Sequence, residues 1–305
     1  MEAHRLVRCR RAARERTSAA ALVLGIAATL PAQAVPVVTS ASGPDAAAIQ
    51  PAVDAFRASL GNLNPNVVGS FGSGRREINW DGVPNEFSSP NSFPATFFND
   101  NSPLGAFFLT PGTGFEVSAH AATGTPVRFG NIDPSYPDLF TTFSAQKLFT
   151  AIGSNVLDVL FLAAGTVSTA TVSGFGAVFT DVDLPGASSL EFFTADDQSL
   201  GVFSVPAATG DQTMSFLGVA FSTERAHRVR ITTGNTALSA GTTGDVVALD
   251  DFIYSEPIAL STAPIPEPST TALMVLGLAA MAAKLRRRGA SLQRREGRAA
   301  QHSGS

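Results

Sequence analysis

Ten short runs rich in Val, Phe, Leu, Ile and Thr, each bounded by Gly, Pro, Asn, Asp or Ser, most constrain what this chain can fold into. They cover 104–110, 115–120, 126–129, 156–162, 171–180, 189–194, 200–205, 214–222, 227–233 and 246–254. No helical period interrupts them. Such a series predicts an all-β fold, an antiparallel β-sandwich of jelly-roll type. The clearest hairpin runs from Leu190 to Val205 and turns on Ala195-Asp196-Asp197-Gln198. One helix precedes the strands: within 45–60, Ile49, Val53, Phe56 and Leu60 form a single apolar stripe, and Gly61 stops it. Pro51 places the start of the regular helix near Gln50.

The ends differ from the middle. Residues 1–16 hold six arginines, 18–30 are nearly all Ala, Val, Leu and Ile, and Ala32-Gln33-Ala34 supplies small residues for a signal peptidase. These features predict a cleavable signal peptide over 1–34; Arg10-Arg11 lacks the rest of a twin-arginine motif, which favours ordinary Sec export. The domain division that follows is an N-terminal segment with its amphipathic helix (35–61), a β-sandwich (62–256) and a Pro-rich linker (257–268). A transmembrane helix (269–285) and a basic cytoplasmic tail (286–305) complete it. The only cysteine is Cys9, so the exported part forms no disulfide and must be held by its core. Between Val35 and Ala263 eight Arg and Lys face twenty-one Asp and Glu, a balance of −13. An acidic surface without a basic stripe speaks against nucleic acid and suits solubility, cations or neutral glycans.

Pro266-Glu267-Pro268, an apolar segment from Thr270 to Ala283 and the cluster Arg286-Arg287-Arg288 together resemble the PEP-CTERM sorting signal. In that family an exosortase in the inner membrane of Gram-negative bacteria processes the tail. The resemblance implies export through the inner membrane, membrane anchoring before processing, and a final place at the cell surface or in an exopolysaccharide matrix. An ordinary C-terminal anchor is the other reading of the same segment. Residues 45–256 also resemble a group of exported bacterial proteins with this tail, through Arg75–Asp81, Val172–Asp183 and Asp250–Tyr254, a likeness that implies no biochemistry.

Candidate chemistry lies in acidic and aromatic residues. In a regular strand Asp250 and Asp251 point to opposite faces, and both neighbouring rows are apolar, so one carboxylate lies near a core and needs a partner. The segment resembles the last strand of jelly-roll carbohydrate-binding modules, in which a near-terminal Asp serves a structural calcium; a turn cap or a solvent-facing bulge is the alternative. Asp181 and Asp183, at alternate positions, are further calcium candidates or turn formers. Trp80 beside Asp81 could stack on and bond a sugar, or close one end of the sandwich. No nucleophile elbow, phosphate loop or His-Glu-x-x-His motif is present. The expectation is a non-catalytic structural or glycan-binding sandwich, with a carbohydrate-active hydrolase using acidic residues or a calcium-dependent adhesin as alternatives.

Overall fold

The computed structural model describes residues 35–222 and 226–260, together with 274, 277–282 and 284. The predicted signal peptide, Pro266-Glu267-Pro268 and Arg286–Arg288 lie outside the described residues. Of the predicted transmembrane helix, 274, 277–282 and 284 are helical. Among the described residues no helix is long and apolar enough to cross a membrane.

In chain order the strands are β1 (Val37–Gly43), β2 (Arg75–Ile78), β3 (Ala106–Leu109), β4 (Gly114–Val117) and β5 (Phe149–Ile152). They continue as β6 (Val156–Phe161), β7 (Ala170–Thr171), β8 (Gly174–Thr180), β9 (Ser189–Phe193) and β10 (Ser199–Ser204). The last are β11 (Met214–Ala220), β12 (Arg228–Thr232), β13 (Ala248–Ser255) and β14 (Ile258–Ala259). The helices are α1 (Ala46–Leu60), α2 (Phe97–Asp100) and α3 (Tyr136–Leu139).

Two large antiparallel sheets face each other, and β7 pairs with β14 in a separate two-stranded sheet. The larger has the order β1-β11-β8-β13-β5-β4, with β2 also paired to β13; the smaller has the order β10-β9-β12-β6-β3. Their inner rows meet in one core, where Phe161 of β6 lies 5.3 Å from Tyr254 of β13 and Phe108 of β3 lies 5.1 Å from Phe149 of β5. The antiparallel, few-helix architecture expected from the strand runs is therefore present. The Leu190–Val205 hairpin forms as β9 and β10, closed by Thr194 N–H donating to Gln198 O.

Helix α1 covers the outer face of the larger sheet. Asp45 caps it by accepting from Ala48 N–H, and Ile49, Val53 and Phe56 are buried on Val178, Phe216 and Ile253. The helix starts at Ala46 and carries Pro51 inside it, earlier than the proline suggested, because Ile49 is drawn fully onto the sheet. Gly218 and Gly176 let the Phe56 ring approach the sheet backbone; a Cβ at Gly218 would stand 2.6 Å from that ring.

Some expectations fail. Residues 126–129 form no strand: Arg128 and Phe129 are left-handed (φ 48° and 62°), and Phe129 is buried in a satellite cluster with Tyr136, Phe140 and Leu148. Strands β1, β5 and β14 were not anticipated; each is short or polar by sequence and owes its state to the neighbour it pairs with. The run 171–180 is two strands, broken where Ser173 N–H turns to donate to Ser255 Oγ.

Candidate functional site

The centre of the outer face is built by a bulge in β13. Leu249 pairs with Phe179 and Phe252 with Ala177, so three steps along β13 match two along β8. Val247 and Leu249 before the bulge, and Phe252 and Tyr254 after it, all enter the inter-sheet core, while Ala248 and Ile253 face outward. Both Asp250 and Asp251 are thus turned to the outer face. The opposite-face expectation is corrected, since it held only for an unbroken period of two.

Both carboxyls are buried beneath α1. Asp250 accepts from Phe143 N–H at 2.6 Å, and Ser144 Oγ stands 3.1 Å from Asp250 and 2.7 Å from Asp251. Asp251 also receives Arg57 Nη2 at 3.2 Å. Arg57 grips Glu77 through Nε at 3.1 Å and Nη2 at 3.0 Å, and Arg75 Nε reaches Glu77 at 2.6 Å. Burial, then the neighbouring Asp251, raises the Asp250 carboxyl well above the ordinary range, and burial raises Asp251 as well, opposed by Ser144, Asp250 and Arg57. Arg57 lies within ion-pair distance of both Asp251 and Glu77, and Arg75 within ion-pair distance of Glu77. Arg57 occupies the position beside Asp251 that a bound cation would need.

Trp80 is fully buried, which removes it from any sugar-stacking surface. Its ring stacks on Phe149 with centroids 4.0 Å apart and packs against Phe93, Phe98, Phe108 and Phe252, while Nε1 donates to Asp250 O at 2.9 Å. Five neighbouring rings make an apolar pocket that a large indole fills better than solvent does. Asp81 is likewise engaged: its Oδ1 accepts the N–H groups of Gln146 and Lys147.

Asp181 and Asp183 lie past the end of β8. Asp181 is left-handed (φ 68°), and its Oδ1 is buried with no hydrogen-bond partner among the described residues. Burial, with Asp183, Asp211 and Asp245 adding, pushes its carboxyl up to about 8. Asp183 accepts from Gly210 N–H at 2.9 Å, and Asp245 accepts from Asp183 N–H at 3.1 Å. Among the described residues no group of three or more His, Cys, Asp or Glu side chains is arranged to hold a metal ion.

A surface cleft of about 440 Å³ opens beside the ionic centre. Exposed Asn66, Asn79 and Asn101 line it with Glu77, over a floor that includes buried Phe97 and Phe98. Sequence reasoning missed this cleft, because its amides come from three separate loops. It also missed Lys147, whose buried ammonium donates to Val83 O, Asn85 Oδ1 and Ser88 Oγ.

Residues 264–288 match the PEP-CTERM protein-sorting motif. The chain carries that motif where Pro266-Glu267-Pro268 and Arg286-Arg287-Arg288 pointed to it, and the motif implies export, membrane-associated sorting and processing by an exosortase. None of the curated proteins matches this chain. Over 38% of its length it is similar, at 18% identity and a TM-score of 0.25, to a glycoside hydrolase family 43 arabinoxylan arabinofuranohydrolase from Bacillus subtilis in complex with cellotetraose. It spans 24% of that hydrolase. Over 36% of its length it is similar, at 8% identity and a TM-score of 0.21, to a family 29 carbohydrate-binding module, of which it spans 68%. Likenesses this loose decide neither fold family nor activity.

Proposed function

We propose that this chain is an exported, non-catalytic protein of the cell surface or extracellular matrix, delivered by its sorting motif, whose sandwich is a jelly roll serving as a scaffold or a weak glycan-binding module. The jelly-roll reading rests on strand order: β5, β6 and β8 to β13 supply β11-β8-β13-β5 and β10-β9-β12-β6, the arrangement that two Greek keys wound together produce. The single observation that carries the non-catalytic reading is the use made of the carboxylates. Asp250 and Asp251 are spent on Phe143 N–H, Ser144 and Arg57, and Glu77, the one carboxylate of the amide-lined cleft, is held by two arginines. A hydrolase of the two-carboxylate type would need a second acid across that cleft. Asn66, Asn79 and Asn101 present amides suited to sugar hydroxyls, which makes a neutral exopolysaccharide the proposed partner.

The test is retention of the purified protein on neutral exopolysaccharide, with calcium or with chelator, while soluble sugar is measured in the same tubes. Retention without sugar release, weakened by Asn101→Ala, supports a binding module. Sugar release would replace this reading with the hydrolase alternative.

The calcium-dependent adhesin has one observation in its favour, the partnerless buried Oδ1 of Asp181 near Asp183. Calcium there would draw most of its six to eight oxygens from carbonyls and water. Heat and a raised melting temperature in a calcium titration, abolished in Asp181→Asn, are what that reading requires.

A further inference from the structure

The strand registers define two ends of the sandwich. At one end Val37 pairs with Ala220 and Ala220 with Gly174; Ser255 pairs with Arg75, and Leu63 bridges to Arg75. The chain leaves the described fold at this end, where Leu260 N–H donates to Thr169 O. Between Val37 and Leu260 eleven large apolar side chains are exposed, and eight of them stand here. Val67, Val68 and Phe71 project from the 62–74 loop, with Val68 exposed to 66%. Val167, exposed to 93%, tips the adjoining loop, tied to the first by Gly69 N–H donating to Ala164 O at 2.8 Å. Leu63, Val37, Val38 and Leu260 complete the set. Glu256, the carboxylate beneath Phe71, is buried and neutralised by Arg76.

The opposite end is acidic. Asp181, Asp183, Asp211 and Asp245 gather there. Asp196 and Asp197 do stand at the apolar end, but in the β9–β10 hairpin on the far edge of the smaller sheet, and Asp197 is paired with Arg228. From Leu260 to Thr270, where the apolar segment of the sorting tail begins, ten residues reach at most about 35 Å. The apolar end therefore stays close to whatever holds the tail.

We propose that this end of the sandwich docks on the lipid surface that receives the tail, with the Val67–Phe71 and Val167 loops dipping into the headgroup layer. Among the described residues the tips of the two loops are aliphatic, and the exposed Asp100 adjoins the second, where Asn99 holds Gly165 and Thr166; such tips match the interface of a bilayer of neutral lipid. The acidic end then points away, which limits repulsion from anionic lipid. Processing of the tail would release a protein held by these loops alone, a contact too small for lasting attachment.

The proposal rests on membrane association of the sorting tail, and the experiment separates the two. The full chain, in a Cys9→Ser background, is labelled with an environment-sensitive dye at Val68→Cys, Leu184→Cys or Leu278→Cys. Each is mixed with phosphatidylcholine vesicles carrying spin-labelled quencher lipids. Quenching at position 68, to the extent typical of groups roughly 5–10 Å into the headgroup boundary, with none at position 184, is the expected result. Quenching at position 278 alone would leave the tail in the membrane and overturn the docking. Quenching at 68 without 278 would uphold the docking and sink the tether. A concentration-dependent blue shift at 68 in the absence of vesicles would mean that a second copy covers the face, which also overturns it.

Discussion

Arg76 and Glu256, 180 residues apart, meet in a two-point ion pair, Nε to Oε2 at 2.6 Å and Nη2 to Oε1 at 2.9 Å, with both side chains buried. Arg76 spends its remaining donors on the carbonyls of Pro65, Gly69 and Pro103, and Glu256 accepts from Asn64 as well. The pair therefore fastens the 62–74 loop to the exit of the last long strand. Removing one partner strands a buried charge, so Glu256→Gln is expected to cost about 3–5 kcal/mol. Chemical denaturation would show it, and a loss under 1 kcal/mol would mean that solvent reaches Arg76.

Trp80 sits among five phenylalanines, and it is the sole tryptophan. Trp80→Ala is expected to lose ~3–5 kcal/mol. In the intact protein its emission should be blue-shifted and unmoved by saturating neutral oligosaccharide. A ligand-dependent shift would return Trp80 to the binding surface.

The Asp181 carboxyl, whose buried Oδ1 has no hydrogen-bond partner among the described residues, makes stability pH-dependent. Its value in the fold is raised from 3.8 to about 8, so between those limits the native state binds more protons than the unfolded chain. Its stabilising contribution is present in full below pH 3.8, is lost as pH rises toward 8, and changes no further above it. Asp250, raised for the same cause, adds a slope of the same sign. Melting temperatures across pH 5–8.5 should fall for the native chain and fall less for Asp181→Asn; equal slopes would mean that Asp181 ionises normally.

Helix α1 rests on two glycines. Gly218→Ala places a methyl 2.6 Å from the Phe56 ring, which is expected to cost ~1–3 kcal/mol by overpacking. Amide exchange across 46–60 would read the loosening, and unchanged protection there would show that Phe56 has another rotamer available.

Strand runs, the helix stripe and the Asp196-Asp197 turn were legible in the chain because each is a local pattern, a period or a turn residue, that needs no distant partner. The sorting tail was legible for the same reason: Pro266-Glu267-Pro268, an apolar stretch and Arg286–Arg288 are read in line. Burial of Trp80 was one of two readings open in the chain, but its ring partners were not legible, since Phe149, Phe108 and Phe252 arrive from three strands. Nor was the shared face of Asp250 and Asp251, because one inserted residue in β13 resets a period of two that sequence reading takes as continuous. The partners of Arg57, Glu77, Arg76 and Glu256 cannot be read in line. Only the winding of strands far apart in sequence brings each beside its counter-charge, and that is a property of tertiary pairing which no local composition encodes.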